Sequence, residues 1–172
     1  MTPFVVLSLQ STLSLMAFAL LATWHVLPRL PGRSPEAAVA PLLWVHVFRY
    51  APLTLLAPGQ ADPRIPADAV RVIAYGDLAA AILALAALIA VRLRLRAALG
   101  LIWLFSAFSI GDLVIGAERA VRAELYRFYI GWSWYIVTFY VPMLLVSQAL
   151  IVWSLLKHRP GEVAPVVPAL PA

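Results

Sequence analysis

The chain has 172 residues, 63% of them hydrophobic and 12% charged, with a mean hydropathy of +0.91. A soluble domain carries about 45–50% apolar and about 25% charged residues, so this composition excludes one and points to an integral membrane protein. The formal charge of +5 sits on basic residues at the ends of apolar runs, with no aromatic-interleaved patch, which suits anionic headgroups and argues against nucleic acid.

Five apolar runs approach or exceed the roughly 20 residues that a membrane-spanning helix needs, at 3–27, 41–57, 67–91, 97–117 and 130–156. No Lys or Arg precedes Arg29 and no small-x-small cleavage site follows the first run, so it is read as a retained helix. The second run is framed by Pro41 in its first turn and by Pro58-Gly59 at its end. Within it His46, Arg49, Tyr50 and Leu53 are spaced i, i+3, i+4 and i+7, which places them on one face of an α-helix. Pro52 cannot donate to the carbonyl of Phe48, so that oxygen is freed near Arg49.

The third run contains Tyr75 and Asp77, and Gly76, Ala80, Ala84 and Ala87 predict close packing against a neighbouring helix. The fourth carries a polar strip, Ser106, Ser109 and Asp112, at three-residue spacing. After it, residues 118–129 place Val121, Leu125 and Phe128 at i, i+4 and i+7, with Glu118 and Arg122 spaced to pair, which predicts a short helix on the membrane surface. The fifth run places Ser133, Tyr140 and Ser147 seven residues apart, and Pro142 frees the carbonyl of Thr138. Trp132, Trp134 and Tyr135 at one boundary, with Trp24 and Trp44 at the other, read as interfacial aromatic belts.

The predicted fold is therefore an all-α integral membrane protein, a bundle of five transmembrane helices with a short interfacial helix in the fourth loop. Residues 1–159 form one domain, and the segment 160–172, with Pro165, Pro168 and Pro171, reads as a disordered tail. Seven basic residues flank the ends that share a side with the tail and five flank the others, which predicts an outside N-terminus and a cytoplasmic C-terminus. Arginine in place of nearly every lysine suggests a bacterial inner-membrane protein.

Three ionisable side chains fall inside these runs, each costing roughly 2.5–3.5 kcal/mol at mid-bilayer on insertion scales. At about 1.5 Å per residue, Arg49 lies about 12 Å and Asp77 about 15 Å into their helices, at matching depth, with Asp112 about 7 Å nearer the outer face. Arg49 and Asp77 are thus expected to pair, Asp112 joining through a water or a hydroxyl. The candidate ligand-binding set is Arg49, Asp77, His46, Tyr50, Asp112, Tyr75 and Tyr140, in which the Arg49 fork would take the anionic group of a small or lipid-like ligand.

Three other readings compete. One is an accessory membrane subunit whose buried charges only fix helix register, in contact with the lipid bilayer, a further copy or a partner subunit. Another is a haem b protein with His25 and His46 as axial ligands. The last is an intramembrane enzyme using Asp77 and Asp112 as acid and base. No nucleophile motif or phosphate loop names a reaction, so whether one is catalysed stays open. Cysteine is absent, which removes disulfides and thiolate metal sites, and no acidic residue shares the level of the two histidines to complete a zinc set. The only lysine, Lys157, lies beyond the last run, which rules out a retinal Schiff base.

Overall fold

A computed structural model describes residues 1–157, and the predicted tail lies outside the described residues. The chain is all-helical, with five helices long and apolar enough to cross a membrane: α1 Pro3–Arg29, α2 Pro35–Leu56, α3 Ala67–Arg92, α4 Ala98–Arg122 and α5 Ser133–Lys157. Helices α2 to α5 form a four-helix bundle in which α2 packs on α3 and α5, and α4 packs on α3 and α5. α1 leans on the outside of α5. Its straight α-helical part, Pro3–Leu21, has no buried residue. It carries no charged side chain, and its polar residues Ser8, Gln10, Ser11, Thr12 and Ser14 form no narrow stripe of the kind that marks a helix meant to face water.

Three helices leave α-geometry beside a proline, as a missing N–H and a crowded carbonyl one turn back require. α1 opens to a π-turn at Ala22–Val26 just before Pro28, α2 tightens to a 3-10 helix over Phe48–Leu56 around Pro52, and α5 carries a π-turn at Ile136–Tyr140 just before Pro142. Pro41 behaves differently from expectation: it lies inside α2, which begins six residues earlier. The Ser34 hydroxyl caps Ala37 N–H at 3.3 Å and Pro35 supplies the first-turn proline, a stronger start signal than Pro41.

The predicted surface helix over 118–129 is not a separate element. Residues 118–122 complete the last turns of α4, Glu124 takes a left-handed conformation at φ 48°, and only Leu125–Arg127 form a further 3-10 turn. The Glu118–Arg122 pair does form, but inside α4. Val121 is exposed while Leu125 is buried, because the left-handed residue between them breaks the helical face.

The α3–α4 connection is five residues long and closes as a Schellman turn: Arg94 has φ 53° and Leu95 N–H donates to Ala90 O at 2.9 Å. At the opposite end the second and fourth loops are joined, Asp62 N–H donating to Tyr129 O at 2.8 Å. Side-chain and backbone hydrogen bonds from Arg64 hold the partly buried Asp62 carboxyl down to about 2, so this turn keeps its ion pair until pH falls through that value.

Apolar clusters cap both ends of the bundle. One gathers Leu43, Ala84, Ile102, Phe105 and Ile151, and the other gathers Leu55, Ile65, Val70, Leu125 and Ile130. Ala80, Ala84 and Ala87 are fully buried, and their small side chains let the neighbouring backbones approach α3, as predicted. Trp24, Trp132 and Tyr135 are exposed near the helix ends, whereas Trp44, expected in the belt with Trp24, is exposed midway along α2 because that helix starts at Pro35. Trp134 Nε1 donates to Gln10 Oε1 of α1 at 2.8 Å, tying that outer helix to α5.

Candidate functional site

Between the two apolar clusters, α2 to α5 bring their polar side chains together. Arg49 is the largest fully buried side chain of the described residues, 1% exposed. It is presented by the 3-10 segment of α2. With three residues per turn, side chains three apart eclipse, and the buried positions His46, Arg49, Pro52 and Leu55 follow that period. Tyr50, expected on the same face, is instead 48% exposed, because the four-residue step that would align it with His46 is lost where the helix tightens.

Every contact of the Arg49 guanidinium is to α3 or α4. Nε donates to Asp77 Oδ1 at 2.8 Å, Nη2 lies 2.7 Å from that same oxygen and donates to Asp112 Oδ2 at 2.5 Å, and Nη1 donates to Ser109 Oγ at 2.6 Å. The expectation that Asp112 joins only through a water or hydroxyl is therefore corrected: it touches Arg49 directly. The depth estimate measured Cα positions, and the long arginine side chain spans the difference. The carboxylates are 16% and 11% exposed, against 1% for the arginine between them.

Gly76 has a role that small-residue packing does not convey. A Cβ built on it would lie 1.9 Å from Asp112 Oδ1, so the bare Cα of α3 is what admits the carboxylate of α4.

A second set of bonds lies one turn away. His46 is fully buried, its Nε2 3.0 Å from Ser147 Oγ and its ring edge-on to Phe105 with centroids 5.0 Å apart. Ser147 Oγ is 3.0 Å from both His46 Nε2 and Leu144 O, and its single hydrogen serves one of them at a time. Gln148 Nε2 donates to Ser106 Oγ at 2.7 Å. His46 Nδ1 and Gln148 Oε1 are buried with no hydrogen-bond partner among the described residues. Tyr140 Oη donates to Val45 O at 2.5 Å, next to the junction where α2 changes geometry, and Ser133 meets Thr54 at 3.3 Å. The seven-residue spacing Ser133, Tyr140, Ser147 is thus a line of hydrogen bonds from α5 to α2.

Of the predicted set, Arg49, Asp77 and Asp112 are in contact, and His46 and Tyr140 are bonded to the helices beside them. Tyr50 and Tyr75 are not gathered in, Tyr75 being 56% exposed on α3. Gln148 was missed, although a glutamine inside an apolar run is as visible as the serine before it. His25, the other proposed haem ligand, is exposed on the π-turn of α1, whereas His46 is enclosed by Ser147 and Phe105. Among the described residues no three His, Cys, Asp or Glu side chains group to hold a metal ion. An apolar groove of about 370 Å³ runs along the α2–α5 seam, lined by Phe48, Ala51, Thr54, Trp132, Phe139 and Tyr140 among others, and none of the charged residues opens onto it.

These features define a class, an all-helical protein with five helices of membrane-crossing length and an arginine clasped by two aspartates at its centre. The chain belongs to the family described as domain of unknown function DUF8737, whose model matches residues 6–156 and so takes in the polar layer and most of every helix. No curated protein and no solved structure matches it.

Proposed function

We propose that the protein is a polytopic component of a bacterial cytoplasmic membrane, with its N-terminus outside and C-terminus inside, that binds a small ligand in the polar layer around Arg49, Asp77 and Asp112. The observation that carries this reading is the charge count. Arg49 on α2 meets one carboxylate on α3 and another on α4, so three helices share two carboxylates and a single guanidinium, one potential negative charge too many. A surplus charge at that depth is costly unless something else comes to it.

The test is native mass spectrometry and thermal unfolding of the whole protein in mild detergent, against a panel of small cations and anions, beside the variant Arg49→Leu, Asp77→Leu, Asp112→Leu. The expected result is a stoichiometric bound mass or a ligand-dependent rise in Tm that the folded triple variant lacks. A wild type that is empty and indifferent to the panel, together with a triple variant of higher Tm, would leave only the register role.

The orientation has its own check. Single cysteines in place of the exposed Arg96 and Arg122 are expected to react with a membrane-impermeant maleimide from opposite sides, Arg122→Cys from outside. Labelling of both from one side would refute the alternating path of the five helices.

A further inference from the structure

We infer that the ligand of the polar layer is a small cation that donates N–H or O–H bonds, an ammonium group or a proton, taken up beside Asp77 and Asp112. It is not an anion taken up by Arg49. This rests on the binding reading above and reverses the role that the sequence suggests for the arginine.

Donor and acceptor counting leads there. A guanidinium binds an incoming carboxylate or phosphate through a free pair of N–H groups. Here each guanidinium nitrogen already donates, Nε to Asp77, Nη1 to Ser109 and Nη2 to Asp112, and the group is 1% exposed, so it presents no exposed fork to an incoming anion. Acceptor positions are left open in the same layer. Asp77 Oδ2 and Asp112 Oδ1 lie outside the grip of Arg49, whose bonds go to the other oxygen of each carboxylate. His46 Nδ1 is buried and has no hydrogen-bond partner among the described residues. Gln148 Oε1, on the residue that follows Ser147, is likewise buried without a donor among them. Two aspartates ionised together against one arginine would put one negative charge in excess into the layer, which a cation or a proton balances. A divalent metal fits poorly, because no third His, Cys, Asp or Glu among the described residues joins the two carboxylates. Both carboxylates keep some exposure while Arg49 keeps almost none, so a newcomer meets them first.

The test uses the full chain in nanodiscs of neutral phospholipid. Thermal unfolding is followed with methylammonium chloride, sodium chloride, sodium acetate and sodium phosphate at matched ionic strength, and infrared spectra are taken at neutral pH for the C=O stretch of a protonated carboxyl. If an ammonium ion is the occupant, methylammonium is expected to raise Tm by on the order of 5–10 °C at a hundredfold excess over its Kd. If a proton is the occupant, methylammonium does nothing and the carboxyl band is present in the wild type. In either case Asp112→Asn or Asp77→Asn, each of which supplies the missing donor and removes the excess charge, folds with a Tm at or above that of the wild type and loses the signal.

Stabilisation by acetate or phosphate overturns the cation while leaving ligand binding intact. Failure of both asparagine variants to fold also overturns it, since the second negative charge would then belong to the resting structure. If no salt shifts Tm, no carboxyl band is seen, and the triple leucine variant is the more stable protein, the binding reading itself fails.

Discussion

Arg49→Leu alone is expected to yield protein that aggregates on extraction, or melts far below the wild type. The substitution leaves Asp77 and Asp112 facing each other between apolar clusters, and breaking a buried pair by removing one partner costs about 3–5 kcal/mol. A folded domain has only about 5–15 kcal/mol to lose. The Ser109 hydroxyl is stranded as well. Adding Asp77→Leu and Asp112→Leu is expected to restore a monodisperse protein, because an apolar replacement of a whole buried ion cluster is commonly neutral or stabilising. Size-exclusion profiles and circular dichroism melts of the single and triple variants measure this. A single variant with the wild-type Tm would mean that the two carboxylates do not depend on Arg49.

Gly76→Ala is expected to destabilise the protein by about 1–3 kcal/mol, the usual range for overpacking. The sign is informative, since glycine to alanine in the interior of a helix ordinarily stabilises by about 1 kcal/mol. Here the added methyl carbon would stand 1.9 Å from Asp112 Oδ1 and 3.0 Å from its Cγ. A carboxylate free to swing would yield at little cost, but this one is pinned through Oδ2 by Arg49. Relieving the clash therefore loosens the ion cluster. Combining Gly76→Ala with Asp112→Ala removes the obstacle, so the double variant is expected to melt higher than the two single effects would sum to. Purely additive melting temperatures would show that Gly76 and Asp112 act independently.

Much of this arrangement was legible in the sequence, for a reason specific to apolar runs. Where nearly every residue is hydrophobic, the polar exceptions stand out, and Arg49, Asp77 and Asp112 were conspicuous on that ground alone. The three-residue strip Ser106, Ser109, Asp112 survived because α4 keeps regular geometry, and the seven-residue line Ser133, Tyr140, Ser147 still reaches α2 although its first half crosses the π-turn of α5. Tyr50 was misassigned where regularity fails: Pro52 announced a lost hydrogen bond, but the chain answered by tightening to three residues per turn over nine residues, which rotates every later side chain. The start of α2 was misread because two prolines compete for the first turn, and only Pro35 has a capping serine before it. Gly76 was read as packing because spacing within one helix cannot show which side chain arrives from another.

The peripheral position of α1 bears on biogenesis. Its partner in the fold is α5, so after synthesis of α1 the helix lacks that docking surface until α2, α3 and α4 have also been made. It carries no charged side chain through Leu21, so in the membrane proposed above it can wait in lipid at less cost than a helix that bears a charge. α2 has no such freedom, since it brings a guanidinium whose two counter-charges arrive only with the next two helices. α1, which needs no counter-charge, therefore precedes α2, and α2 is followed at once by the pair that neutralises it.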